Sequence, residues 1–577
     1  MKTNIFQLLI VLLSLSMVSC EDDFLHRPPL DQVSSDAYWT KANDLKLYVN
    51  QYYTMFSDGG TWSGGIYWFD TNSDNMVGNS PNDRLAGRTT IPTDEGFGYG
   101  NIRGLNFFME NYKKCTDPFD QYKQFLGEAY FFRAKEYYDK VKKYGDIQWI
   151  SKTLEPDSED LYGERNPRDQ VIDSIIADLD KAIEYMSSGP NEGGTRLNKE
   201  IAMLIKARVC LYEGTWEKYH QGDPFGVEKP DYEKYLRLAE ETSNALINSG
   251  VYSIYTTGDP MWDYYHLFNQ VNYSGNPEVM LWKKYDQTLG LTNNHQRYLA
   301  VSGGGVGITR ELVRSYLCTD GKPISVSSLY LGDDSLTLEV TNRDLRLRQT
   351  VYTRGFPKRV ESTGDTTLRF VRADIDLVGE SRCPTGYQLC KGANPDPAHY
   401  DVADVGTVAT PLYRYAEALL IYAEAKAELG ELTQEDVDKT INILRDRVGM
   451  AHLLIDNIEN DPNWDFPDLN PVINEVRRER RIEFACEGYR FDDLMRWGAA
   501  DELITGKRFK GAKFNSTDYS DLNPADYVMD ENGYLDPMKE LLPTGFYEFK
   551  LDRDYLSPIS INELTLNPNL EQNPGWD

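Results

Sequence analysis

The stretch Glu475–Gly498 reads EVRRERRIEFACEGYRFDDLMRWG, with four arginines in the run RRERR. At about 100° per residue, Val472, Ile473, Val476, Ile482, Phe484 and Cys486 share one broad arc of a helix. Arg480, Glu483 and Glu487 fall inside that arc, and Arg477, Arg478 and Arg481 point away from it. One arginine and two glutamates are therefore expected to enter the interior together. The step from Arg480 to Glu483 suits an i, i+3 ion pair. Such a group must be mutually satisfied, because removing one member strands a buried charge. The pattern predicts a structural network rather than a comb for phosphates.

The rest of the chain supports that choice. It carries 61 Lys+Arg against 91 Asp+Glu, a formal net charge of −30 over 577 residues. A chain this acidic repels a phosphate backbone, so nucleic acid is excluded as a partner. With 40% hydrophobic and 26% charged residues it is globular in composition.

The N-terminus, MKTNIFQLLIVLLSLSMVSC, sets Lys2 before an apolar run from Ile5 to Val18. The run is too short and too early for a structural membrane helix and reads as a secretory signal. It ends at Ser19 and Cys20, which resembles a bacterial lipobox, with Met17 where that pattern prefers Leu. Cleavage before Cys20 and acylation there would anchor the chain, since each buried methylene contributes about 0.8 kcal/mol. The acidic residues that follow, Glu21, Asp22 and Asp23, resemble the surface-export signal of Bacteroidetes lipoproteins. No later segment is long and apolar enough to span a bilayer.

Six cysteines remain after Cys20. Cys383 and Cys390, in CPTGYQLC, are the close pair and a candidate loop disulfide in an oxidising compartment. No His or second CxxC accompanies them, so no zinc site is indicated. Cys210 and Cys486 lie in helical patterns and are expected as buried free thiols.

Three- and four-residue periodicity predicts helices over 119–144, 169–186, 196–214, 231–250, 411–430 and 433–449. Their pairing resembles tetratricopeptide repeats; unrelated helical hairpins would give the same pattern. Residues 58–104 and 255–410 differ. They are rich in Gly, Asn, Asp, Pro and aromatics, with short strand-like runs such as 278–285. Loops this long are usually functional, so the helices read as scaffold and the loops as the working surface.

The opening stretch also resembles the hallmark segment of the SusD/RagB family of outer-membrane nutrient-binding lipoproteins, ERR-x-E-x-x-x-E-G-x-R-x-x-D-L-x-R-W-G. Glu479, Arg480, Arg481, Glu483, Glu487, Gly488, Arg490, Asp493, Leu494, Arg496, Trp497 and Gly498 match it in order. FLGEAYFFRAKEYYDKVKKYGDI resembles the family's first repeat helix, RYAEALLIYAEAKAELG with INILRDRVGM its later repeat, and YLSPISINELTLNPNLEQNPGWD its C-terminal signature. Together with the lipobox, these cover nearly the whole chain.

The resemblance implies a mainly α fold. It implies a signal peptide over 1–19 and a single SusD-like domain over 20–577, with helix pairs at about 119–250 and 411–498. It also implies a non-enzymatic role. The protein would sit in the outer membrane facing outward, capture an oligosaccharide or a peptide, and pass it to a SusC-like TonB-dependent transporter. No cofactor is implied. In relatives the ligand residues come from the two loop regions, although individual positions vary with ligand. Sugar rings stack their C–H faces on aromatics, and their hydroxyls need polar partners. On that basis Trp62, Tyr67 and Trp68 are a candidate stacking platform, and Asp70, Asp74 and Arg84 candidate hydroxyl ligands. Tyr285, Asn294, Arg297 and Tyr298 form a second candidate group. Each aromatic can equally pack against its own loop.

Rival readings are a glycoside hydrolase and a repeat scaffold for protein partners. The hydrolase needs two carboxylates about 5–10 Å apart, which so acidic a chain always offers. Asp70, Asn72 and Asp74 stand at calcium-loop spacing. However, Asn75 replaces the usual Gly and Pro81 the bidentate Glu, so no metal is expected.

Overall fold

The computed structural model describes residues 38–94 and 96–576. The expected signal peptide and the Cys20 anchor lie outside the described residues. The scaffold is a run of helices: α1 (Ala42–Asn50), α2 (Gly100–Asn111), α3 (Phe119–Tyr144), α4 (Arg168–Tyr185), α5 (Lys199–Tyr219), α6 (Tyr232–Asn248), α7 (Ala416–Glu428), α8 (Gln434–Asp438), α9 (Ile441–Arg447), α10 (Pro471–Glu483) and α11 (Arg490–Arg496). Helix α3 packs on α4, α4 on α5, and α5 on α6, and α7 packs on α5, α6 and α10. The mainly α fold that the resemblance implies is what the chain forms.

Apolar stripes bring these helices together, and buried Arg–carboxylate forks set their register. Arg133 of α3 grips both oxygens of Asp178 on α4 at 2.7 Å. Arg168 of α4 grips Glu213 of α5, with its shortest contact at 2.7 Å. Bidentate geometry adds direction that apolar contact lacks.

Several expected boundaries shift, three of them for reasons the packing shows. The helix expected to stop at Gly214 continues to Tyr219. Gly214 is instead the place where α6 comes closest, since a Cβ there would sit 2.9 Å from Leu236 Cγ. The helix expected from 411 begins at Ala416, because Thr410–Arg414 forms strand β4, antiparallel to β2 (Val279–Lys283). The helix expected over 433–449 divides into α8 and α9 at Thr440, whose hydroxyl donates back to the Asp436 carbonyl.

The loop-rich regions carry a core of their own. Tyr67, Met76, Tyr264, Phe268, Ile308, Tyr316, Tyr352 and Tyr387 belong to a buried cluster distinct from that of the helices. Strand β1 (Met76–Gly78) pairs antiparallel with β3 (Val306–Ile308), with Val77 opposite Gly307. This pairing joins the two loop regions.

Where the two cores meet, charge is buried. Glu483 accepts hydrogen bonds from Arg447 at 2.7 Å, Arg414 at 2.7 Å and Arg346 at 3.0 Å. Glu487 accepts two more from Arg414, each at 2.8 Å, and one from Lys391 at 2.7 Å. The Arg414 guanidinium lies 4.3 Å from the ring centre of Phe484, in the helical core, and 5.4 Å from that of Phe268, in the loop core.

The wheel placed Arg480, Glu483 and Glu487 inside correctly but assigned the wrong partners. Helix α10 ends at Glu483, and the chain turns through Cys486 at φ 63°. The expected Arg480–Glu483 pair does not form. Arg480 Nε instead donates to Asp493 at 2.9 Å. The expectation that Arg477, Arg478 and Arg481 point to solvent is overturned too. Arg477 and Arg481 are buried and Arg478 is half-buried. Arg477 is ringed by Trp497, Phe466 and Tyr219 at 4.2, 4.4 and 4.7 Å. Arg481 donates to Asp74 at 2.8 Å and Asn75 at 2.9 Å. The polar face of α10 is covered by segments remote in sequence, which no wheel can register.

Burial opposes the charge on Glu483, yet Arg447, Arg414 and Arg346 outweigh it and hold its carboxyl well below the ordinary 4.5. A depressed folded-state pKa means the stabilisation is full at neutral pH and is lost as pH falls below about 4.5. Glu483→Ala is expected to cost about 3–5 kcal/mol, because three arginines lose a buried partner. Urea denaturation at pH 7 reads this. The loss should shrink when both proteins are compared at progressively lower pH below 4.5.

Candidate ligand-binding surface

The two loop regions meet around Trp68, on the 3-10 turn Gly65–Asn72. Its indole is clamped between two glycines. A Cβ on Gly64 would lie 2.1 Å from the indole Nε1, and one on Gly304 would lie 2.7 Å from its Cζ2. Tyr298 meets the ring edge-on, at 5.2 Å between centroids and 77° between planes. Burial raises the Tyr298 hydroxyl, and the nearby Glu380 carboxylate raises it further. Trp62 stands six residues before Trp68 and is 56% exposed.

These aromatics sit on a braced base. The Thr61 carbonyl accepts from Asn294 N at 2.9 Å. Asn294 and Asp404 bond reciprocally, Asn294 Nδ2 to Asp404 Oδ1 at 2.6 Å and Asp404 N to Asn294 Oδ1 at 2.8 Å. Asp58 takes Lys283 Nζ at 2.7 Å and the Tyr285 hydroxyl. Burial works against the Asp58 charge, but those donors prevail and hold its carboxyl down to about 2. Arg297 Nη1 donates to the Tyr400 carbonyl at 2.8 Å and remains half-buried.

The ten candidate residues therefore separate. Trp62 is exposed, while Trp68, Arg297 and Tyr298 are partly open. Tyr67 is buried, with its hydroxyl on the Phe268 carbonyl at 3.0 Å. Tyr285 and Asn294 are buried in the base described above.

Asp70, fully buried, accepts from Cys486 N at 2.8 Å and Gly488 N at 3.0 Å. It holds the turn that ends α10. Asp74 lies between Arg481 and Arg490. Both carboxylates are thus spent on the scaffold, which also removes them from the calcium-loop pattern. Among the described residues no group of three or more metal-ligating side chains comes together. Arg84 is pinned elsewhere, with Nε on the Asp554 carbonyl at 2.7 Å and Nη2 on the Tyr555 carbonyl at 2.9 Å.

Sequence reasoning missed Asp58, Glu380 and Asp404, which brace this surface. Asp58 and Tyr285 are 227 positions apart, and no local pattern signals such a contact.

The expected disulfide is not formed. Cys383 and Cys390 are buried free thiols, as are Cys210 and Cys486. After a turn at 383–386 the chain runs extended, with Tyr352 N bonded to the Gln388 carbonyl and Cys390 N to the Thr350 carbonyl. At about 3.3 Å per residue, that run carries Cys390 beyond the reach of Cys383. Among the described residues no helix is long and apolar enough to cross a membrane.

Comparison with known proteins agrees with this architecture. The family model described as the SusD family matches residues 248–576. A second, described as starch-binding and associating with outer membrane, matches 23–211. A SusD-like protein of Formosa agariphila is 25% identical over 590 residues, covering 99% of each chain. Another from the same organism is 22% identical over 528 residues, 87% of this chain and 93% of its own. A solved SusD-like protein from Bacteroides fragilis NCTC 9343 shares 22% identity at TM-score 0.69, covering 95% of this chain and all of its own. A solved SusD-like carbohydrate binding protein from the same strain shares 20% at TM-score 0.70, covering 92% of this chain and all of its own. The first family model alone spans more than half of the 577 residues, and the chain belongs to the SusD family.

Proposed function

We propose that the protein captures an oligosaccharide or polysaccharide on the surface formed by Trp62, Trp68, Arg297 and Tyr298. It then delivers this cargo to a SusC-like TonB-dependent transporter, from a position anchored in the outer membrane through lipidated Cys20 and facing the exterior. The observation that carries the reading is a clamped Trp68–Tyr298 pair with an exposed Trp62 six residues away on the same loop. An aromatic already held in place loses little freedom when a sugar face stacks on it. Family membership, a second matching family model described as starch-binding, and a structural relative titled carbohydrate binding support the same reading.

The role is binding rather than catalysis. The loop carboxylates singled out for hydroxyl binding, Asp70 and Asp74, are buried under backbone N–H groups and arginines. A glycosidase needs its carboxyl pair open to the scissile bond.

The chain from residue 21 onward retains every described residue and is the form to test. In native gels cast with plant, host and microbial polysaccharides, at least one glycan is expected to retard it without cleavage products appearing. Retardation by none would turn the reading toward peptide cargo. Trp62→Ala and Trp68→Ala should each weaken binding about tenfold, or ~1.4 kcal/mol. Unchanged affinity in both would remove the ligand from this surface.

A matched pair separates surface from scaffold. Trp62→Ala should leave the melting temperature within a degree or so, because its side chain is largely exposed. Asp70→Ala should lower stability by about 3 kcal/mol or more, because it unties the Cys486–Gly488 turn and strands buried donors.

A further inference from the structure

A cleft of about 320 Å³ opens between the short helix Arg310–Ser315, the loop around Trp464 and the turn around Lys507. It shares no lining residue with the Trp62–Trp68–Tyr298 surface. Its size falls at the small end of ligand pockets. In a chain of net charge −30 its lining is rich in cations.

Arg481 and Arg490 are buried in its wall and locked by Asp74. Arg490 donates through Nε at 2.7 Å and Nη2 at 2.9 Å and lines the cleft. Arg314 and Lys507 are exposed on the same lining, and among the described residues neither side chain has a hydrogen-bond or ion-pair partner. Trp464 lies under the Arg478 guanidinium at 4.7 Å and adds an aromatic wall.

Most of the acids in the lining are already spoken for. Asp74 is paired with Arg481 and Arg490, Asp465 with Arg481 at 3.1 Å, and Asp461 with Arg478 at 2.6 Å. Glu311 accepts from Lys510 N, and burial pushes its carboxyl up to about 7, so at neutral pH much of its charge is absent. Glu502 is exposed and, among the described residues, its side chain has no hydrogen-bond or ion-pair partner. The Asp465 side chain is 40% exposed and can still accept from a hydroxyl. A bare anion would be repelled by it, whereas a sugar would use it.

We propose that this cleft is a second binding site, taking an acidic sugar residue. Arg314, Arg490 and Lys507 hold its carboxylate or sulfate ester, Trp464 takes a ring face, and Asp465 and Asn463 take hydroxyls. The proposal rests on the reading of the chain as a glycan-capture protein. It adds a charge preference that the aromatic surface does not supply. Such a preference on a strongly acidic chain requires a local concentration of unpaired cations, because the long-range field opposes it.

Isothermal titration of the chain from residue 21 onward, at low salt, tests this with glucuronate, glucose 6-sulfate, glucose and inorganic sulfate. Saturable binding of one or both acidic sugars is expected, with none for glucose, and it should weaken as salt is raised. Which acidic sugar binds decides between carboxylate and sulfate ester. The double variant Arg314→Gln/Lys507→Gln, at exposed positions, should lose at least tenfold with its melting temperature kept. Trp62→Ala should bind the acidic sugar as the parent does.

Failure of both acidic sugars to bind overturns the proposal. So does affinity that survives the double variant, affinity lost in Trp62→Ala, or inorganic sulfate binding as tightly as the sugars. Polysaccharide retardation that depends on Trp62 is read separately. Loss of either site is therefore distinguishable from loss of the other.

Discussion

Glu483 is the point on which the structure turns. Its two oxygens receive arginines from three remote segments: Arg346, Arg414 at the end of β4, and Arg447 of α9. A lone carboxylate in that position would be prohibitively desolvated. It is held as an anion because the cations arrive with their own partners, Asp344 for Arg346, Glu278 for Arg447, and Glu278 with Glu487 for Arg414. Helix, strand and loop must all be in place before any of these charges is satisfied. That requirement makes the seam between the two cores cooperative, as a purely apolar seam need not be.

The hallmark segment therefore acts as a bracket. Cys486 and Gly488 offer their backbone N–H groups to Asp70, which sits two residues after Trp68. Arg481 and Arg490 take Asp74. The segment that ends α10 thus fixes the chain that presents the aromatic surface, and the same arginines form a wall of the cationic cleft. Scaffold and loops share one set of charges. For that reason several loop acids that look like ligands from their composition serve as ties.

The division between tie and surface also explains which candidate residues were legible. Trp62, Trp68, Arg297 and Tyr298 were picked out for their residue types, and all keep some exposure. Tyr67, Tyr285, Asp70 and Asp74 were picked out on the same grounds and are buried. Composition reports what a side chain can do, whereas exposure depends on what covers it. Thr61 meets Asn294, and Asp58 meets Tyr285, across the two loop regions that the β1–β3 pairing also joins. Cys383 and Cys390 illustrate the same limit. Only six residues lie between the two cysteines, but an extended backbone between them takes the thiols apart.

The amino-acid sequence by itself determined the helical scaffold, because 3.6-residue periodicity is a local property that α3, α4 and α6 keep nearly to their ends. It also determined that the RRERR region is a buried ionic network, because apolar and charged residues share its helical arc. The partners in that network were decided by the tertiary structure alone. Arg480 chose Asp493 over Glu483, and Arg477 and Arg481 were covered by segments remote in sequence. A buried charge must find its counter-charge wherever the fold supplies one, and that location is written in no single helix.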